Sequence, residues 1–176
     1  MNDELVLEMK SGQLGEFYPL LQQGFAVTVR VGCTIDLLLS REFGLSPDYV
    51  TKRITTIFLN GQAVDYIKRT VVKEGAVIAL SGAAPGLVGA ILRCGGHYAA
   101  MRGEITYWET AAAATSRLAK IRVKLFSILL PELGAHFLHR DIVLTSSELA
   151  DFATFYASVI FGFKIQLTFE SDYNSE

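Results

Sequence analysis

The sequence predicts an α+β protein: a mixed sheet packed on a helix, followed by a smaller α/β segment. Apolar and polar residues alternate with period two near both ends of the 176-residue chain, as strands with one wet face do. A capped, helically spaced apolar stripe follows Thr34. Between these, short β-branched runs are punctuated by Asn60-Gly61 and Lys73-Glu74-Gly75, the turn chemistry of a sheet.

Leu5, Leu7 and Met9 alternate with Glu4, Glu8 and Lys10 and predict the first strand. Ser11 to Gly24 reads as a loop. Phe25, Val27, Val29 and Val31 alternate with Thr28 and Arg30 and predict the second strand. Thr34 is placed as an N-cap, because its hydroxyl can accept from the first orphan amides of a helix. Ile35, Leu38, Leu39 and Phe43 supply that helix's buried stripe, and Gly44 ends it. Ser46-Pro47-Asp48 reads as a turn.

Ile54 to Leu59 is the next strand, and Asn60-Gly61 marks a two-residue hairpin, since both positions tolerate positive φ. Ala76 to Leu80, a continuous apolar run between turn residues, predicts a central buried strand. The first eighty residues thus read β-β-α-β-(β)-β. Glycine and alanine dominate Ser81 to Gly103, with a helix expected from Pro85 to Arg93, and Thr110 to Ser116 reads as a linking helix or boundary.

Beyond it, Ile121, Val123 and Leu125 alternate with Arg122 and Lys124 as another strand. Pro131 to His139 predicts a short helix and Ile142 to Leu144 a short strand. Thr145-Ser146-Ser147-Glu148 matches a capping box, with Glu148 reaching back to the Thr145 amide, ahead of a stripe at Leu149, Phe152, Phe155 and Tyr156. Phe163, Ile165, Leu167 and Phe169 form the last strand. The expected organisation is a first domain over 1–100, a connecting segment over 101–120, a smaller α/β unit over 121–170 and a frayed tail over 171–176. The smaller unit either packs as a second, related copy of the first or extends its sheet.

Composition narrows the function classes. Charged residues make up 19%, apolar residues 51%, and mean hydropathy is +0.33, far from a disordered chain and rich enough in apolar groups to expect a protein partner or self-association. A net charge of −2 and a pI near 5.9 lack the basic footprint of phosphate binding, so no nucleic-acid partner is expected. Lys120, Arg122 and Lys124 read as one solvated strand face. The longest weakly polar stretch, Val77 to Leu92, falls short of the roughly 20 apolar residues of a membrane span. The acidic opening Met1-Asn2-Asp3-Glu4 does not resemble a signal peptide, and two cysteines make no disulfide framework, so a cytoplasmic location is expected.

Three stretches carry a family resemblance: Val29 to Leu38, then Ile57 to Val64 across Asn60-Gly61, then Val72 to Leu80 with Lys73-Glu74-Gly75 before the final strand. Over residues 5–81 the chain resembles the bacterial sulfur carriers of thiamine and molybdopterin synthesis, small β-grasp (ubiquitin-like) proteins. The resemblance implies a β-grasp fold. In that family the chemistry belongs to a C-terminal Gly-Gly carboxylate, which is adenylated and converted to a thiocarboxylate. Here the chain ends Asn174-Ser175-Glu176, and the diglycine Gly95-Gly96 is internal, so a sulfur-carrier role implies cleavage after Gly96.

Candidate sites are few. Cys94-x-x-His97 and His136-x-x-His139 together offer one thiolate and three imidazoles, a suitable tetrahedral zinc set if the two pairs meet. The bland reading of His136 and His139 is a pair of surface residues flanking a core stripe. Ser81 to Gly89 reads as close-packed backbone rather than an anion loop, because it lacks the endings of the phosphate-binding motifs. No catalytic constellation is legible. The favoured expectation is therefore a non-enzymatic binding or protein-interaction module, with a zinc-binding protein and a processed sulfur carrier as alternatives.

Overall fold

A computed structural model describes residues 4–7, 12, 14–84, 86–107, 116–140, 142–155 and 164–168. Among them are eight strands: β1 (Glu4–Leu7), β2 (Phe25–Val31), β3 (Thr56–Leu59), β4 (Gln62–Ala63), β5 (Val77–Ser81), β6 (Arg117–Phe126), β7 (Ile142–Val143) and β8 (Lys164–Thr168). They form one mixed sheet in the order β1-β8-β7-β2-β6-β5-β3-β4. The class is α+β.

Strand β6 decides the architecture. It runs antiparallel to β2, from Phe25↔Val123 to Val31↔Arg117, and parallel to β5, from Val77↔Arg122 to Ser81↔Phe126. The sheet therefore crosses the expected division of the chain, with a strand of the 121–170 segment lying between two strands of the first hundred residues. Strand β1 pairs with β8 at one edge of the sheet, away from β2. Its alternation fits any half-buried strand and carries no information about its neighbour.

The core lies on one face of this sheet. Val27, Val29 and Val31 of β2, Ile121, Val123 and Leu125 of β6, Ile78 and Leu80 of β5, and Ile57 and Leu59 of β3 all point into it. Strand β5 was expected to be buried on both faces, yet Val77 and Ala79 on its other face are only half-buried. Arg122, expected on a solvated face, donates to the Gly24 carbonyl at 2.7 Å and pairs with Glu148 at 2.6 Å. Gly24 is required there: with φ at +108° it lies against the Lys124 and Arg122 side-chain stems, at 2.9 and 3.1 Å from where a Cβ would sit.

Helices cover the core face. The stretch expected as a loop before β2 holds a 3₁₀ turn (Leu14–Phe17) and α1 (Tyr18–Gln23), whose Phe17, Leu20 and Leu21 are buried. Its apolar residues follow no long periodic run, which hid the helix. Next comes α2 (Ile35–Leu37), capped by the Thr34 hydroxyl accepting from the Leu37 amide at 3.4 Å. It continues as a π-helical turn over Leu38–Glu42, and Gly44 follows at φ +67°. The wider turn keeps Phe43 on the same buried face as Ile35, Leu38 and Leu39, all 0% exposed.

Ser46-Pro47-Asp48, expected as a turn, instead starts α3 (Pro47–Arg53): the Ser46 hydroxyl accepts from the Tyr49 amide at 3.2 Å, and Pro47 takes a first-turn position that needs no amide. Asn60 and Gly61 have φ of 51° and 82°, the geometry of the expected hairpin between β3 and β4. In the second half, α5 (Leu129–Leu138) lies against α1 and β6, with Phe137 edge-on to Phe43 at 4.9 Å and tilted against Phe25 at 5.4 Å. Glu132 of α5 accepts from the Tyr49 hydroxyl at 2.7 Å and from Arg53, tying α5 to α3.

The capping box at Thr145 forms as the sequence predicts. The Thr145 amide donates to Glu148 at 2.8 Å, and the Glu148 amide donates to the Thr145 hydroxyl at 3.3 Å. Helix α6 (Ser146–Phe155) follows, its Phe152 stacked on Phe17 at 5.4 Å. Of the expected linking segment Thr110 to Ser116 all but Ser116, Tyr156 of the last helix's expected stripe, Phe163 and Phe169 of the last strand, and the tail 171–176 lie outside the described residues. No described helix is long and apolar enough to cross a membrane.

Candidate functional site

Between β5 and β6 the chain leaves the sheet for an excursion built from small residues. Gly82 permits the exit, because a Cβ there would collide with the Ile128 side chain. Helix α4 (Gly86–Leu92) follows, then a turn at Arg93 to Gly96, and a kinked 3₁₀ segment over Ala99–Ile105. The excursion returns to the sheet at Thr106, bridged in parallel to Ala63 of β4. That bridge occupies part of the outer edge of the sheet's last strand.

A buried ion pair fastens the turn. Asp65, just past β4, accepts from the Gly95 amide at 2.8 Å and from the Arg102 guanidinium. The Arg102 side chain is 0% exposed and that of Asp65 is 11% exposed, so both charges are removed from water together. Arg102 also donates to the Ala99 carbonyl at 3.4 Å and the Arg93 carbonyl at 3.5 Å, while its Nη1 has no partner among the described residues. The Cys94 amide donates to the Thr55 carbonyl at 2.8 Å, which pins the turn to the lead-in of β3.

Cys94 is half-buried beneath this pair, with its Sγ 3.4 Å from the Asp65 carbonyl. Burial raises its pKa above the ordinary 9.0; the nearby Asp65 carboxylate adds to the rise and Arg102 opposes it. The thiol is therefore protonated at neutral pH and is a poor nucleophile. His97, three residues on, is exposed and packs edge-on against Tyr98 at 5.2 Å.

The other two residues of the expected zinc set stand at the end of α5, His136 in its last turn and His139 as its C-cap. His136 Nε2 is 2.8 Å from the Phe43 carbonyl, and His139 Nδ1 is 2.6 Å from the Ala135 carbonyl. Both imidazoles thus have a nitrogen engaged with backbone. Among the described residues, no three or more His, Cys, Asp or Glu side chains gather where they could hold a metal ion.

Beside the turn lies a cavity of about 270 Å³ between α3, the start of β3 and the excursion. Val50, Ile54, Ile57 and Ile67 give it apolar walls; Thr51, Thr55, Asp65, Arg93 and Cys94 supply the polar atoms. A second hollow of about 180 Å³ on the α4 side shares Thr55 and Arg93. Asp65, Arg93 and Arg102 escaped the sequence reading because they are far apart along the chain. One signal was available: Arg102 is a lone charge among Ala99, Ala100, Met101 and Gly103, and a charge in an apolar run is most often paired.

The excursion also carries four of the seven exposed large apolar side chains among the described residues. Leu87 is 62% exposed, Val88 67%, Met101 66% and Tyr98 44%; all four fall between β5 and β6. Comparison of the chain with protein-family models, with curated proteins and with solved structures finds no match.

Proposed function

We propose that this protein is a non-enzymatic interaction module that self-associates through the excursion between β5 and β6. One observation carries the reading. Helix α4, Gly-Leu-Val-Gly-Ala-Ile-Leu, has no polar side chain in its seven residues, yet Gly89 is its one buried residue. A helix apolar all round belongs in a protein interior. Contiguous exposed apolar surface on a soluble chain marks an interaction site. The exposed Leu87 and Val88, adjacent on the helix, suit the centre of an isologous contact between two copies.

Sedimentation velocity over a range of concentrations tests this. The wild-type chain is expected to show a concentration-dependent dimer, and Leu87→Asp/Val88→Asp a monomer with an unchanged circular dichroism spectrum. A wild-type chain that stays monomeric throughout, or a variant that dimerises as well, overturns the reading.

We also read β2 to β6 as a β-grasp with its central strand supplied from the C-terminal side. The order β2-β6-β5-β3-β4, the parallel pairing of β5 with β6, and α2 following β2 support it. In this reading β6 is the central strand between β2 and β5. The same placement argues against a processed sulfur carrier. Cleavage after Gly96 would remove β6 from between β2 and β5, and the Gly96 amide is itself bonded to the Arg93 carbonyl at 3.0 Å. Expression of residues 1–96 alone checks this: an unfolded fragment is expected, and a folded one would contradict it.

A further inference from the structure

We infer that the cavity between α3 and the excursion binds a small amphiphilic carboxylate, with the Arg93 guanidinium as its anchor. This inference is independent of self-association. Two charged side chains line the cavity. The charge of Asp65 is already neutralised by the buried Arg102, and its Oδ1 also accepts from the Gly95 amide. Arg93 differs: its side chain has no carboxylate partner among the described residues, and this exposed residue lines both hollows. The net charge that the walls present to a ligand is therefore positive.

The rest of the lining sets the ligand's other half. Val50, Ile54 and Ile57 are at most 6% exposed and form an apolar wall that rewards a hydrocarbon tail. Thr51 and Thr55 add hydroxyls able to orient an oxygen beside the guanidinium; the Thr51 hydroxyl already donates to the Pro47 carbonyl at 2.8 Å, which leaves its lone pairs free to accept. The volume of 270 Å³ accommodates about nine water-sized groups at ~30 Å³ each, close to a carboxylate on a tail of about six carbons. The fork of a guanidinium can donate two parallel bonds to a carboxylate. The same chemistry is offered by a free short-chain acid and by the C-terminal residue of a peptide.

Calorimetric titration of the full chain with sodium hexanoate, with a blocked tripeptide ending in leucine with a free carboxylate, and with hexylammonium chloride tests the inference. Saturable binding of at least one carboxylate is expected, and none of the ammonium. Whichever carboxylate binds more tightly identifies the source. Arg93→Gln is expected to weaken that binding at least tenfold, and Thr51→Phe, which fills the cavity mouth, to abolish it. Amide NMR spectra of both variants check that the fold is retained. Three results would overturn the assignment: no saturation by either carboxylate, equal binding of the ammonium, or affinity unchanged in Arg93→Gln.

Discussion

Replacing Asp65 by alanine strands a buried guanidinium, and the size of the resulting loss tests how the excursion is held. In the folded protein the Arg102 side chain is 0% exposed, and Asp65 is its one carboxylate partner among the described residues. After the substitution Arg102 keeps two long contacts among the described residues, to Ala99 at 3.4 Å and Arg93 at 3.5 Å, where its Nη1 is already without a partner. Leaving one member of a buried pair uncompensated costs about 3–5 kcal/mol. The lost bond from the Gly95 amide adds about 1 kcal/mol. Asp65 is itself 11% exposed, so water reaching the vacated space lowers the total, and a loss of about 3 kcal/mol is expected.

Urea unfolding reads this directly. With a slope of about 2 kcal/mol per molar, the midpoint should fall by roughly 1.5 M at constant slope. The double variant Asp65→Ala/Arg102→Met should recover most of the loss, because no charge is then left in the interior and methionine fills part of the space. Reaction of Cys94 with a thiol reagent should also accelerate in the single variant, since Asp65 holds the turn that covers it. A midpoint shift below about 0.5 M, or a double variant no more stable than the single one, would refute the view that this pair fastens the excursion.

Two further outcomes follow from contacts elsewhere. Burial raises the Glu148 pKa, but the Thr145 amide and hydroxyl and the Arg122 guanidinium outweigh it and hold the carboxyl below its ordinary 4.5. A carboxyl depressed by folding stabilises above its unfolded pKa, and the benefit disappears as pH falls through the folded value. Glu148→Gln should thus cost about 1 kcal/mol at pH 7, with the difference shrinking as pH falls below 4.5 and through the folded value; a difference that does not shrink on acidification contradicts this. Phe137→Ala removes a ring that is 0% exposed and packed on Phe25 and Phe43, so a loss of about 4 kcal/mol is expected, read as a drop in melting temperature of roughly 10 °C. A drop below about 3 °C would mean that these rings do not form the centre of the core.

Elements governed by local chemistry were legible in the sequence. The Asn60-Gly61 hairpin, the Thr34 cap and the Thr145-Glu148 capping box each depend on residues within a few positions of one another, and each forms where the residues predict. Period-two alternation located β2, β6 and β8 for the same reason. Ser46-Pro47-Asp48 shows the limit of such reasoning: a cap and a turn use the same residues, and only the packing of Val50 and Tyr49 against the core decides for a helix.

The tertiary structure alone decided strand neighbours and the site. Alternation specifies that a strand has one buried face but not which strand lies beside it, so β6 could settle between β2 and β5 while β1 went to the edge. The Asp65–Arg102 pair joins residues that share no periodic pattern, and the cavity beside it draws Thr55 and Arg93 from opposite sides of β5 in the chain. Such groupings arise from long-range closure of the sheet, whereas the signals a sequence displays extend over one turn of helix or one hairpin.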